Sequence, residues 1–141
     1  FSSDDGLARV RAPAASVRLA SPPSGERSTL RTALYPGLLE AARTNRGERA
    51  AFFEVGRVFE GDEEERLGLV LRGAWAGGGW LPEQSVDFYV LKGLLEKLAA
   101  TLGAGVTFGA AAHPALHPGV SASVSWEGRP VGFAGRLHPA V

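Results

Sequence analysis

Two runs of alternating side chains constrain the fold of this chain most strongly. In residues 51–59 the side chains point alternately to two faces, and one face carries Phe53, Val55, Arg57 and Phe59. Leucines at every second position repeat the pattern in residues 67–72. The acidic residues 60–65 between the two runs predict a solvated turn. The two runs are therefore predicted to pair as an antiparallel hairpin.

Apolar residues at helical spacing predict two longer helices. The first begins at Pro36, which suits a first helical turn, and stops near residues 45–47. The second is capped by Ser85 or Asp87 and ends at Gly103. A shorter helix, capped by the segment Ser3-Asp4-Asp5, is predicted to run to about Arg9. The buried stripes are Leu34, Leu38, Leu39 and Ala42 in the first helix, and Phe88, Leu91, Leu95, Leu98 and Leu102 in the second.

The remaining segments predict short strands and loops. Residues 16–20 and 106–108 have the pattern of short strands, and residues 120–126 and 130–137 that of a second hairpin, turning at residues 127–128. Residues 76–82 and 113–119 are rich in glycine or proline and predict loops. The predicted fold class is α+β, an antiparallel sheet with helices packed on it. We expect residues 1–141 to form a single partial domain.

Composition excludes several classes of function. The 15 Lys and Arg balance the 15 Asp and Glu, so the basic excess typical of a nucleic-acid platform is lacking. The chain has no cysteine, which removes disulfides, thiolate zinc sites and cysteine nucleophiles. No apolar run approaches the roughly 20 residues of a membrane helix. The absence of cysteine is compatible with a cytoplasmic protein, which we expect. The chain also lacks methionine, so we expect it to be an internal segment of a longer protein.

Three other features suggest binding sites but favour ordinary structure. His113 and His117 have a spacing that suits a metal on a helix, but each precedes a proline, which disfavours helix there. We therefore predict a rigid loop and no metal site. Residues 77–79 and 132–136 are glycine-rich but lack the context of a phosphate loop. The three tryptophans are predicted to be buried in the core or at a subunit contact rather than to stack on bases.

Five short motifs, collinear over almost the whole chain, carry a family resemblance. Residues 29–40 read TLRTALYPGLLE, and residues 53–59 read FEVGRVF. They are followed by DFYVLKG at 87–93, LHPG at 116–119 and GRLHP at 135–139. Each motif is weak alone, but in this order they resemble the β chain of bacterial phenylalanyl-tRNA synthetase.

The resemblance implies a module that has the fold of a class II synthetase core without its catalytic function. It implies that the parent chain pairs with a catalytic α subunit in an (αβ)₂ heterotetramer. That complex attaches phenylalanine to tRNA(Phe) with ATP and Mg²⁺, and the β chain contributes tRNA contacts and editing from other domains. Within this segment the resemblance implies no catalytic residue and no cofactor of its own.

The residues at the second class II signature motif agree with that implication. In active class II enzymes this strand ends in Phe-Arg-x-Glu, and the arginine grips the α-phosphate of ATP. The corresponding stretch here is Phe59-Glu60-Gly61-Asp62, so Glu60 stands where the arginine is required. The degenerate motif-like positions of this strand are Gly56, Arg57, Phe59 and Glu60. A carboxylate about 4 Å from a phosphate charge repels it by about 4 kcal/mol with surface-like screening. ATP is therefore predicted not to bind here.

Two other functions stay open at this point. In the first alternative, the chain is a piece of an active or ligand-binding class II-like enzyme whose site lies partly in missing flanks. Arg57 is then the nearest substitute for the lost arginine. Alternatively, it is a stand-alone protein-interaction domain unrelated to translation.

Overall fold

The computed structural model describes residues 1–78 and 80–141, which form two compact units, Phe1–Gly73 and Ala74–Val141. Both units contain antiparallel strands with a helix packed on them, so the predicted α+β class is confirmed. None of the helices in the described ranges is both long and apolar enough to cross a membrane.

The first unit contains two helices and a long hairpin. Its elements are α1 (Asp4–Arg9), a 3₁₀ turn (Gly25–Arg27), α2 (Tyr35–Thr44), β1 (Ala50–Glu60) and β2 (Asp62–Arg72). Ser3 caps α1 as predicted, because its hydroxyl accepts a hydrogen bond from the Gly6 N–H at 3.1 Å. The strand predicted at 16–20 is wrong: this segment makes only an isolated bridge from Arg18 to Thr29.

Helix α2 packs on one face of the β1–β2 hairpin, and a small core lies between them. Leu34, Leu38 and Val58 are buried there, with Phe52 and Val70 packed against them. Gly68 lets the helix approach closely, since a Cβ at this position would lie 2.7 Å from Leu38 Cδ1. Apolar burial on a single face is what holds this hairpin, because an isolated two-stranded sheet is marginal in water.

The turn predicted over residues 60–65 is wrong in length. β1 continues to Glu60 and β2 begins at Asp62, with Gly61 between them at a φ of 89°. Glycine reaches that angle without steric cost, so the chain reverses within a very short loop. The acidic side chains that follow are solvated, but their backbone groups belong to the strand ladder, which pairs Glu63 with Phe59 and Glu65 with Arg57.

The second unit is a three-stranded sheet with one helix and a separate short hairpin. Its elements are β3 (Ala74–Gly78), β4 (Leu81–Ser85), α3 (Phe88–Thr101), β5 (Val106–Ala110), β6 (Leu116–Trp126) and β7 (Arg129–Leu137). The sheet order is β5–β6–β7, all antiparallel, and α3 packs on β5 and β7. Asp87 caps α3 by accepting from the Val90 N–H at 2.9 Å, and Gly103 ends it at a φ of 68°.

Two predicted loops of this unit are partly strand. Residues 74–78 and 81–85 pair with each other, so most of the loop predicted at 76–82 is wrong, while position 79 lies outside the described residues. β6 begins at Leu116, inside the loop predicted at 113–119. The second hairpin is confirmed: Glu127 and Gly128 both have positive φ, 48° and 75°, as a tight hairpin turn requires.

Candidate functional site

The end of the β1–β2 hairpin contains the four positions marked by the family resemblance. Val58 points to the face that packs on α2 and Gly56 stands on the same face, whereas Arg57 belongs to the exposed face. Phe59 is half-buried, and its N–H donates to the Arg31 carbonyl at 2.9 Å. Glu60 is exposed beside the turn. The four positions therefore lie close together along β1, but they are divided between the two faces of the strand.

Gly56 accommodates the guanidinium of Arg31, which lies across the strand. Arg31 Nη1 donates to Glu54 Oε1 at 2.5 Å, and Arg31 Nε donates to the Arg57 carbonyl at 2.8 Å. A Cβ at position 56 would overlap Arg31 Nη2. The glycine of this motif therefore serves an internal ion pair that is only about one-third exposed, with side-chain exposures of 27% and 35%.

Glu60 faces an arginine of the same hairpin. Arg66 Nη1 lies 3.2 Å from Glu60 Oε2, and Arg66 Nη2 lies 2.8 Å from Glu64 Oε2. Burial alone would lower the pKa of Arg66, but its hydrogen bonds to Glu64 and Glu60 outweigh that and hold the pKa above its ordinary value. Arg57 is likewise paired, with Glu63 at 2.5 Å. Both arginines of the hairpin end are therefore neutralised by carboxylates of the same turn.

The electrostatic field at this end of the hairpin is negative. Five carboxylates lie at residues 60 and 62–65, against the two guanidiniums of Arg57 and Arg66. Burial, together with the negative charge of Glu60, raises the pKa of the Tyr35 phenol to about 12. The same field disfavours any approaching polyphosphate. Chemically, the arrangement suits internal ion pairing and leaves no cationic group positioned for an anion.

The three histidines share one local structure. His113 Nδ1 accepts from the Ala115 N–H at 3.2 Å, and His117 and His138 make the same bond to residues 119 and 140, each at 3.1 Å. Every histidine precedes a proline, so the ring satisfies the first N–H after it. His113 lies in a loop as predicted, whereas His117 belongs to strand β6. Across the described ranges, no group of three metal-ligating side chains comes together.

Burial and stacking act on His113 in particular. Its ring stacks on Phe133 with centroids 3.6 Å apart and an interplanar angle of 20°. Burial lowers the pKa of His113 below its ordinary value, because the desolvated ring is harder to charge. Neutral His113 is also the form that can accept at Nδ1.

Two surface features were not predicted. The face of the hairpin away from α2 exposes Phe53, Val55 and Leu67, with 74%, 59% and 44% of each residue accessible. Alternation had placed the phenylalanine and the valine on one face, but it could not tell which face is buried.

Trp80 is 90% exposed, so core burial is wrong for this residue. In the second unit, a groove of about 510 Å³ opens beside the start of α3.

Comparison with known proteins identifies a family along the entire chain. The family model described as the phenylalanyl tRNA synthetase beta chain CLM domain matches residues 1–141. The phenylalanine–tRNA ligase β subunit of Deinococcus radiodurans is 44% identical over 147 residues, covering 100% of this chain and 18% of that protein. The β subunits of Halalkalibacterium halodurans and Geobacillus kaustophilus are 43% and 44% identical, covering 87% and 89% of this chain. The chain spans less than a fifth of the length of these relatives.

Proposed function

The chain belongs to the family of phenylalanyl-tRNA synthetase β chain CLM domains, and we propose that it is a non-catalytic scaffold module of a phenylalanine–tRNA ligase β subunit. The parent protein would pair with a catalytic α subunit in an (αβ)₂ heterotetramer in the cytoplasm. That complex would charge tRNA(Phe) with phenylalanine at the expense of ATP, with Mg²⁺ at the catalytic site. This module would hold its part of the assembly in place.

The module would resemble a class II synthetase core that has lost its nucleotide site. Gly56, Arg57, Phe59 and Glu60 lie at the end of β1, in a long antiparallel hairpin. We propose that this strand corresponds to the one that carries the second class II motif. An arginine at the fourth position would be needed to hold the α-phosphate of ATP. Glutamate stands there, and the next arginine on β2 is already paired with it.

The single observation that carries the proposal is the ion pair between Glu60 and Arg66. A guanidinium that already pairs with a carboxylate is a weaker partner for phosphate, because the carboxylate repels the incoming negative charge. Arg66 is held by two carboxylates, and Arg57, the other candidate cation, is held by Glu63. The residues at this turn therefore do not fit a bound nucleotide, and no step of the ligase reaction is assigned to them. The pairing of Arg57 also weakens the alternative in which Arg57 replaces the lost arginine.

Purification of the tagged parent subunit from its own host tests the proposal. We expect a class II catalytic subunit to be recovered with it in equal amount, and we expect the complex to charge tRNA with phenylalanine. The variant Glu60→Gln should assemble equally well and charge at a rate within about twofold of the wild type, since a residue without transition-state contacts contributes little to kcat/KM. A parent chain recovered alone and inactive would overturn the assembly role. A tenfold loss of charging in an intact Glu60→Gln complex would overturn the non-catalytic role.

A further inference from the structure

The face of the β1–β2 hairpin that points away from α2 carries a continuous apolar patch that has no role in the proposed function. The patch consists of three cross-strand pairs, which are Ala51 with Leu71, Phe53 with Leu69, and Val55 with Leu67. Exposure is largest at Phe53, where 74% of the residue is accessible. An apolar patch on one open sheet face is a common mark of a protein–protein contact.

The end of this face that lies toward the turn is acidic. The patch is centred on the pair of Phe53 and Leu69, and four residues further toward the turn Arg57 is paired in register with Glu65. The guanidinium of Arg57 is bound to Glu63 at 2.5 Å. The exposed carboxylate of Glu65 makes no ion pair with another residue of the described ranges, so it is available to a cation from outside.

The opposite end of the face is basic. Arg49 directly precedes β1, four residues from Phe53 in the direction away from the turn, and it is exposed. Side-chain alternation continued by one residue puts Arg49 on the same face as the apolar patch. It makes no ion pair within residues 1–78 and 80–141. The face therefore has an apolar centre with opposite charges at equal distances on its two sides.

This arrangement is complementary to itself. A twofold axis that crosses the strands at Phe53 reverses their direction, so the turn end of one copy lies over the basic end of the other. The apolar patch then covers the same patch of the second copy, and Arg49 lies over the row of Arg57 and Glu65. Adjacent strands are about 4.8 Å apart, and a long arginine side chain spans that distance to the Glu65 carboxylate.

The other twofold arrangement of two such faces is unfavourable. An axis parallel to the strands would place the turn of one copy over the turn of the other. The five carboxylates at residues 60 and 62–65 would then face their own copies, and like charges repel. Electrostatics therefore selects the arrangement in which the strands of the two copies run antiparallel across the contact.

From this symmetry we infer that two copies of this chain pack face to face through their hairpins, with Phe53 at the centre and two Arg49–Glu65 ion pairs at the ends. Packed sheets lie about 10 Å apart with their strands nearly aligned, as this arrangement requires. The contacting face is about 30 Å long and two strands wide, which is small beside the roughly 800 Å² that each partner contributes to a standard interface. We therefore expect a weak, reversible dimer with a Kd on the order of 100 µM. The inference does not depend on the ligase assignment.

Sedimentation velocity of the chain from about 5 µM to about 1 mM, a range that brackets the expected Kd, tests the inference. We expect the average mass to rise from one copy toward two and no further. Phe53→Ser should weaken the dimer at least about tenfold, since it removes the central apolar contact. Tyr89→Ser is the matched control, because Tyr89 is 75% exposed but lies on α3, and it should leave dimerisation unchanged. Equal dimerisation of Phe53→Ser and the wild type would assign the contact to another surface.

A charge exchange tests the symmetry of the contact. Arg49→Glu and Glu65→Arg each place like charges opposite one another, so each variant alone should self-associate at least about tenfold more weakly than the wild type. An equimolar mixture of the two should form a heterodimer, because the new glutamate of one variant faces the new arginine of the other. Both positions are exposed, so both variants should keep the circular dichroism spectrum of the wild type.

Three further results would overturn the inference. A chain that stays monomeric up to about 1 mM does not use this face for a second copy of itself, which would leave the patch to a different protein. A mass that keeps rising beyond two copies would indicate pairing at open strand edges rather than between faces. A mixture of the charge variants that associates no better than either one alone would exclude the twofold pairing of Arg49 with Glu65.

Discussion

Arg66 Nη1 lies 3.2 Å from Glu60 Oε2, and this contact joins the last residue of β1 to β2 across the turn at Gly61. The same guanidinium holds Glu64 at 2.8 Å. Exposed ion pairs of this kind stabilise a fold by only about 0.2–1 kcal/mol each. Their importance here is chemical rather than energetic. They place two carboxylates beside the Arg66 guanidinium, so an approaching phosphate would be repelled there. This is the position where the family resemblance implies a lost nucleotide contact.

Gly68 is predicted to be essential for the packing of α2 on the hairpin. In Gly68→Ala the new Cβ would lie 2.7 Å from Leu38 Cδ1 and 3.1 Å from Leu34 Cβ, so the Leu38 side chain has to move and Leu34 has to give way slightly. Overpacking of this kind should lower the free energy of unfolding by about 1–3 kcal/mol. Chemical denaturation followed by circular dichroism measures it.

Gly37→Ala is the matched control for that experiment. Gly37 lies in α2, and nothing lies within 4 Å of the Cβ that the substitution would add. Alanine should be neutral there or should stabilise the protein by up to about 0.5 kcal/mol, since it has the higher helix propensity. Equal effects of the two substitutions would contradict the claim that close contact with α2 sets the outcome at Gly68.

Arg72 is predicted to fix the end of α2 to β2. Its guanidinium donates to the carbonyls of Ala42 at 2.8 Å, Asn45 at 2.7 Å and Gly47 at 2.6 Å. The carbonyl of Ala42 is among those that the end of α2 leaves without partners, and a cation there also favours the negative helix terminus. Arg72→Ala should cost about 2 kcal/mol of stability, because several charge-assisted hydrogen bonds are lost together.

Arg72→Lys separates the geometry of this contact from its charge. Lysine keeps the positive charge but cannot present the planar fork that reaches three carbonyls, so it should restore less than half of the loss. Hydrogen exchange of the amides in the last turn of α2 should increase in both variants. Full rescue by lysine would show that charge alone is required.

His113 is predicted to make stability fall in mild acid. Its folded pKa is lowered by burial, so the unfolded chain, with a pKa near 6.5, binds the proton more tightly. The contribution of His113 is therefore fully present above pH 6.5 and declines as the pH falls through 6.5 towards the folded pKa. Protonation also removes the acceptor for the Ala115 N–H.

His113→Asn tests this pH dependence. Asparagine can accept the same backbone hydrogen bond but does not titrate, so the fall in stability between about pH 7 and pH 5 should become shallower. The absolute stability of the variant should be lower at neutral pH, since the stacking on Phe133 is lost. An unchanged slope in His113→Asn would assign the acid sensitivity to other groups.

The elements with a strong local pattern were predictable from the sequence. Residues 51–59 alternate and Asp87 precedes an apolar helical stripe, and both features act over a few residues. The turn predicted at 60–65 is wrong because acidic composition does not distinguish a loop from a strand with solvated side chains. Backbone pairing on both sides of Gly61 continues both strands. Solvated side chains and a paired backbone are compatible on a hairpin with one exposed face.

The contacts that were missed are separated along the chain. Arg72 reaches Ala42 across 30 residues, and Arg31 reaches Glu54 across 23, so no local period indicates either one. The groove depends on the register of three strands against the start of α3, which sets Ser121 beside residues that are distant in sequence.

Isothermal titration of the chain with ATP–Mg²⁺ tests the central claim most directly. With Arg66 and Arg57 both held by carboxylates of the same turn, we predict no saturable heat up to about 5 mM nucleotide, the range in which weak sites are detected. A saturable isotherm with a millimolar or lower Kd would contradict the account, and its loss in Arg57→Gln would identify Arg57 as the cation that replaces the missing arginine.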